Sequence, residues 1–307
     1  MPSPTPAHLN PLADAIAEHV HDGDTVALEG FTHLIPFAAA HEIARQGRRH
    51  LTLVRMTPDL VYDQLIGLGV ADELVFSYGG NPGVGSLHRL RDAVEKHWPH
   101  QLAVREHSHA GLANAYVAGA ARLPFAVLRG YRGTDLEEQR DIISSVTCPF
   151  TGEELAAVKA INPDVTVIHA QLADREGNVM LWGITGVQRE AVLAADRAIV
   201  TVEEVVDEFP ERTGAVILPN WVLSAVCVVP NGAWPSYAAG YSVRDNDFYQ
   251  RWDAIARDRT AFLTWASENN LPTDNTSPAE DTLSGANASP AESSLTAEND
   301  TKEPADV

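Results

Sequence analysis

The sequence predicts an α/β fold: an open, largely parallel sheet with helices on both faces. From residue 12 to residue 259, short strand-like apolar runs alternate with amphipathic helical patterns, the order in which a parallel sheet acquires its crossover helices. At DGDTVALEGFTHLIP, residues 22–36, a strand over 26–28 runs into glycine and then into the helix-like FAAAHEIARQG, as nucleotide-binding turns do, yet the GxGxxG spacing is absent. A chain of 307 residues, 45% of them hydrophobic, can bury a substantial core, as one large domain or two small ones.

The elements follow in order. Asn10 suits an N-cap and Pro11 the first helical turn, where its missing N–H costs nothing, so the first helix is expected there. Thr57 and Pro58 open DLVYDQLIGLG, which glycines close; ELVFSY reads as a strand, and GGNPGVG leads into a helix at Ser86 that Pro99 ends. LAVRE then reads as a strand, HSHAGLANAYVAGAAR as a helix and LPFAVLRG as another strand. Thr151 with Glu154, and Thr201 with Glu204, have capping-box spacing, which places helix starts at TGEELAAV and TVEEVV. Between them, DVTVIHAQLADREGNVMLWG holds two β-rich runs joined by a Gly-Asn turn, a hairpin pattern. No internal repeat is evident.

Composition narrows the function. A net charge of −20 excludes nucleic acid as a partner, because neutralising phosphates needs a basic face. Residues 268–307 hold nine acids against Lys302, no aromatic residue and four large aliphatics, too few to offset the entropy of ordering. The expected organisation is therefore a domain over 1–267 and a disordered acidic tail over 268–307. No apolar run approaches the roughly 20 residues of a membrane span, and the N-terminus lacks the basic start and apolar middle of a secretory signal, so a cytoplasmic protein is expected. Cys148 and Cys227 stand alone, outside any CxxC pattern, and suggest neither disulfide nor thiolate metal site.

Chemistry is expected where strands end. EGFTHLIP, GGNPGVGS, EHSHAG and HAQLADREGN, the last containing Gln171, all lie at the carboxyl ends of expected strands, the edge at which open α/β sheets bind ligands. In the second loop, Gly79, Gly80 and Gly83, with Asn81 and Pro82 between them, either admit a ligand to the backbone or simply form a tight turn before a helix. His107 and His109 flank Ser108, but no third ligand at recognisable spacing accompanies them, so no metal is expected. Glu106, Ser108 and His109 can position a substrate or donate to a developing oxyanion; the bland alternative is a helix capped by Ser108. SENN, residues 267–270, offers Glu268 where the helical pattern gives out, with no glycine loop to enclose it as a nucleophile.

Ordered stretches of the sequence resemble the A chain of family I CoA-transferases of the glutaconate CoA-transferase type. The likeness runs through GDTVALEGFTHLIP, LTLVRMTPDLVYDQLIG, SYGGNPGVGSLHRLRDAVEKHWP, EHSHAGLANAYVAGA, LPFAVLRGY, PFTGEELAAV, DVTVIHAQLADREGNV and VRDNDFY, covering residues 12–266. The resemblance implies the CoA-transferase fold and a ping-pong transfer of CoA between carboxylates, from succinyl-CoA to 3-oxoadipate in the β-ketoadipate pathway of aromatic catabolism. The nucleophilic glutamate is expected on a B subunit, in an A2B2 hetero-oligomer with no tightly bound cofactor and the CoA thioester as substrate. By the same resemblance Gly30, Phe31 and Thr32 match the loop near the pantetheine and thioester, Glu106 matches an acidic position, and His109 stands where relatives often have a glutamine that polarises the thioester carbonyl. Glu29 replaces a glycine and Trp234 a histidine. Transfer to another dicarboxylate such as glutaconate, a same-fold acyl-CoA or C–C bond hydrolase, and a non-catalytic ligand-binding module are the alternatives.

Overall fold

The computed structural model describes residues 9–139 and 141–274. In chain order it begins α1 (Leu12–His19), β1 (Thr25–Glu29), α2 (Phe37–Arg45), β2 (Leu51–Arg55), α3 (Leu60–Gly67), β3 (Ala71–Phe76), α4 (His88–Lys96), β4 (Ala103–Glu106) and α5 (His109–Ala120). It continues β5 (Phe125–Leu128), β6 (Ile143–Thr147), β7 (Glu154–Lys159), β8 (Val165–Asp174), β9 (Val179–Leu181), α6 (Gln188–Ala194), β10 (Arg197–Val206), β11 (Val216–Leu218), β12 (Ala225–Val228), α7 (Asn246–Arg257) and α8 (Arg259–Glu268).

The main sheet is parallel in the order β12–β10–β8–β1–β2–β3–β4. Successive side chains of a strand face opposite ways, and β1 shows the consequence. Val26 and Leu28 join a core with α1, α2, α3, α7 and α8, whereas Ala27, with Val54 and Val75, packs on α5 and α6. Helices thus cover both faces, as expected. The anticipated hairpin also forms: β9 turns back antiparallel on β8, and the Asp174 carboxylate accepts the amides of Glu176 and Asn178, each at 2.9 Å, to shape the turn. From β1 the chain winds outward to β4 on one side, while β8, β10 and β12 lie on the other. The strand order therefore reverses between β1 and β8, the position where open α/β sheets leave a crevice beyond their carboxyl ends.

Several expectations need correction. TGEELAAV and TVEEVV are not helices: Glu154 opens β7, and Thr201 lies inside β10. In the first, the turn at 148–152 closes the β6–β7 hairpin, with Gly152 at φ +73° and its amide on the Cys148 carbonyl. In the second, the run Ile199, Val200, Thr201, Val202 is β-branched and lies between β8 and β12, so sheet pairing overrides a local cap. LPFAVLRG does form a strand, but in a separate antiparallel sheet, β5–β7–β6, which packs on α5. Asn10 does not cap α1; its amide bonds the Val226 carbonyl at 3.1 Å and draws the N-terminal segment onto the β12 edge. The helix expected from Ser86 to Pro99 spans His88–Lys96, ending before the left-handed His97. Of the segment expected to be a tail, residues 268–274 include the end of α8 and the buried Leu271; residues 275–307 lie outside the described residues.

Candidate functional site

The ladder between β1 and β2 ends at Ala27 opposite Val54, and beyond it side chains tie the two diverging strands. Glu29 Oε1 accepts the Met56 amide at 3.1 Å, while Arg55 donates to the Gly30 carbonyl at 2.7 Å and to Asp59 Oδ1 at 2.9 Å. All three charged groups are buried. Burial pushes the Glu29 and Asp59 carboxyls above their ordinary range, and the Arg55 guanidinium opposes that rise. The tie fixes Met56, whose carbonyl accepts the Ser77 hydroxyl at 2.6 Å.

That arrangement places His109. Its ring lies across the ends of β2 and β3, with Nδ1 3.1 Å from Ser77 Oγ and Nε2 3.3 Å from Thr57 Oγ1. Because the Ser77 hydroxyl is donated to Met56, its lone pair takes the His109 Nδ1–H, which leaves Nε2 accepting from Thr57; this network assigns the tautomer. The ring is exposed. A ligand oxygen could receive a proton from Nε2 once the imidazole is protonated there. Ser108 caps α5 by accepting the Gly111 amide at 3.0 Å, so the capped-helix reading of this residue holds. Glu106 is exposed at the end of the edge strand β4, and its carbonyl accepts Gln139 Nε2 at 2.7 Å. His107 turns the other way: it is buried against Tyr131, whose hydroxyl lies 3.1 Å from Nδ1 and accepts the Ser108 amide. His107 and His109 thus point apart, and the described residues hold no group of three or more potential metal ligands.

The first loop closes on itself. A Cβ on Gly30 would lie 2.7 Å from the Leu34 carbonyl oxygen, and Thr32 and Leu34 adopt left-handed φ of 59° and 54°. Close approach is therefore made by the loop's own backbone. The buried His33 accepts the Ala239 amide at Nε2 (2.9 Å), so its Nδ1–H is the donor toward the Ile184 carbonyl, at 3.3 Å. Ser236 Oγ donates to the Thr32 carbonyl at 2.9 Å, stitching segment 236–239 along the loop, and Phe31 lies half-buried beside Gly186. Gln171 is enclosed: its amide pairs both ways with the Trp182 backbone, each bond 3.1 Å.

The second loop is anchored below. Gly80 donates to the Pro58 carbonyl at 3.1 Å, Asn81 Nδ2 donates to the Tyr249 carbonyl of α7 at 2.8 Å, and Gly83 takes φ +78°. Gly79 and Pro82 are partly exposed along the same edge, and the Pro82 carbonyl accepts Arg244 Nη2 at 2.8 Å. Of the residues singled out in the sequence, Gly30, Thr32, Gly80, Pro82, Ser108 and His109 gather at the strand-end edge. Gln171 and Asn81 spend their side chains inside the fold, and Glu268 ends α8. Arg55, Asp59 and Arg244 join them without having been expected; the arginine that ends the apolar run LTLVR is the available signal for the first.

The family model described as Coenzyme A transferase matches residues 10–228. The chain belongs to the Coenzyme A transferase family. Among curated relatives, the A chain of 3-oxoadipate CoA-transferase from Pseudomonas knackmussii is 66% identical over 262 residues, covering 85% of this chain and 93% of that protein. The A chain of glutaconate CoA-transferase from Acidaminococcus fermentans is 31% identical over 277 residues, covering 84% of this chain and 86% of that protein. The crystal structure of the latter enzyme superposes with a TM-score of 0.79, covering 84% of this chain and 87% of the other. Among the described residues no helix is long and apolar enough to cross a membrane.

Proposed function

We propose that this chain is the A component of a cytoplasmic A2B2 enzyme that moves CoA from succinyl-CoA to 3-oxoadipate. The observation that carries the reading is the 66% identity, over 93% of its length, to a protein named for that acid. A glutamate supplied by the B component attacks the succinyl thioester carbon, forming a mixed anhydride and expelling CoA thiolate. The thiolate then attacks the glutamyl carbonyl, releasing succinate and leaving an enzyme thioester. The carboxylate of 3-oxoadipate reverses the sequence and leaves as 3-oxoadipyl-CoA. In this scheme the loop at Gly30, Phe31 and Thr32 and the loop from Gly79 to Gly83 line the acyl-CoA, while His109, protonated at Nε2, donates to the thioester oxygen. Glu106 and Ser108 border the same edge, and Gln171 supports it from beneath. The carboxylates of Glu29 and Asp59 are spent on internal bonds, which fits a nucleophile supplied from outside the chain.

The test is co-expression with the B component. The assembled enzyme should exchange CoA between the two acids, and borohydride should reduce a thioester-bearing glutamate on the B chain. His109→Ala should lower turnover on the order of 100-fold to 1000-fold with assembly intact, the usual cost of an oxyanion donor, and Glu106→Gln should also impair it. Exchange by the isolated A chain, or trapping at Glu106 or Glu268, would overturn the division of labour.

A further inference from the structure

Arg244 stands between the two glycine loops. Its Nη2 donates to the Pro82 carbonyl at 2.8 Å, and its guanidinium carbon lies 3.8 Å from the centroid of the Tyr249 ring. The Tyr249 side chain neighbours Ser236, which holds the Thr32 carbonyl, so the cation sits at the seam joining the first loop to the second. It is half-buried, and its Nε has no hydrogen-bond partner. Among the described residues Arg244 makes no ion pair. The nearby carboxylates are engaged elsewhere: Asp59 accepts from Arg55, and Asp245 Oδ1 caps α7 by accepting the Phe248 amide at 2.8 Å. Asp59 acts on the Arg244 charge through space but is bonded to Arg55, so in a chain of net charge −20 a guanidinium fixed by a ring face and a carbonyl, with no carboxylate hydrogen-bonded to it, is held ready for an external anion.

We propose that Arg244 binds the carboxylate that takes no part in the reaction, the distal one, on each of the two acids that exchange CoA. The inference rests on the transfer reading given above. Succinyl-CoA and 3-oxoadipate each carry one such carboxylate, and in a ping-pong exchange the two acyl groups occupy the same seat in turn, so one fixed cation serves both. Its planar donors suit a carboxylate, and Tyr249 and Pro82 already restrict its motion, so little further ordering is needed on binding. Arg244 thereby sets the preference for dicarboxylic over monocarboxylic substrates.

The assembled enzyme, with its B component, tests this through Arg244→Gln, which keeps a donor for the Pro82 carbonyl but removes the charge, and Arg244→Lys, which keeps the charge. The parent's preference for 3-oxoadipate over 3-oxohexanoate, expressed as a ratio of kcat/KM, should fall roughly ten- to hundredfold in the Gln variant, as expected for loss of a hydrogen bond to a charged group. The KM values for 3-oxoadipate and succinyl-CoA should rise together, inhibition by free CoA should be unchanged, and Lys should restore most of the preference. An unchanged ratio overturns the proposal. So does an equal fall in kcat for both acceptors, which marks a purely structural arginine. A rise confined to the KM of succinyl-CoA and to the inhibition constant of free CoA also overturns it, placing a CoA phosphate at Arg244. A parent enzyme that ignores 3-oxoadipate fails the functional reading instead, and the same variants can then be read with the dicarboxylate it accepts.

Discussion

Asp63 and His107 are buried groups whose protonation equilibria move in opposite directions. Burial raises the Asp63 carboxyl from 3.8 to about 6, against the amides of Arg89 and Leu90 and the Trp252 indole, which favour the ionised form. Burial lowers His107 from 6.5 to about 4. A raised carboxyl contributes stability that is complete below pH 3.8 and is lost as pH rises through about 6, because the folded chain keeps a proton that the unfolded chain has released. A depressed imidazole does the reverse: its contribution is complete above pH 6.5 and is lost as pH falls toward 4. Each effect is worth ~3 kcal/mol, so over the shared window they largely offset one another. Between pH 4 and 6.5, denaturant unfolding should show the parent gaining stability relative to His107→Asn as pH rises, and losing it relative to Asp63→Asn. Differences that stay flat with pH would show that these groups titrate normally. At this scale the sequence is informative wherever a residue type has one dominant use, as with the Ser108 cap. Gly30 suggests room for a ligand, yet its missing Cβ makes room for the Leu34 carbonyl, a contact between positions four apart that no local pattern reveals. Arg244 gives no signal in the sequence because arginines on a surface are usually solvated, and its lack of a directly bonded carboxylate among the described residues exists only in three dimensions.

Between elements, α5 meets the small sheet through a glycine. A Cβ on Gly111 would lie 1.6 Å from the Tyr131 hydroxyl oxygen and 2.4 Å from its ring carbon Cζ, so Gly111→Ala must expel the ring and break its bonds to His107 and the Ser108 amide. The expected cost is ~2–3 kcal/mol by thermal or denaturant unfolding. In a Tyr131→Ala background the same substitution should be neutral or stabilising by roughly 0.5–1 kcal/mol, since alanine suits a helix interior better than glycine. Equal costs in both backgrounds would show that Tyr131 is not what excludes a side chain there. The elements legible in sequence are those whose local signals agree with their tertiary setting: β1, β3 and β4 are short strand-like runs closed by turns, and the Gly-Asn turn announces the β8–β9 hairpin. β7 and β10 depart from expectation because a threonine three residues before a glutamate is a cap only if a helix follows. Around Thr201, β-branched neighbours favour a strand; around Thr151, the hairpin turn takes up the same residues. The separate sheet β5–β7–β6 leaves no local mark, because a strand pattern does not say which sheet receives it.

For the molecule as a whole, part of the acidic charge lies at the chain end. Residues 275–307 hold seven acids against Lys302, without an aromatic residue, and CoA is itself a polyanion. At physiological ionic strength the Debye length is about 8 Å, so carboxylates farther than that from a bound phosphate are largely screened. Removing residues 275–307 should therefore leave both the melting temperature of the assembled enzyme and the KM for succinyl-CoA at about 0.15 M salt, the physiological level, unchanged. A cut after Glu268 should behave differently. It deletes Leu271, which is 4% exposed, packs in the core of α7 and α8, and donates its amide to the Ala266 carbonyl at 2.9 Å. Losing that side chain should cost ~2–3 kcal/mol, or roughly 5 °C in a domain of this size. If the shorter deletion lowers the melting temperature or changes the KM as much as the longer one, residues beyond 274 make contacts that their composition does not suggest, and the acidic segment belongs to the working enzyme.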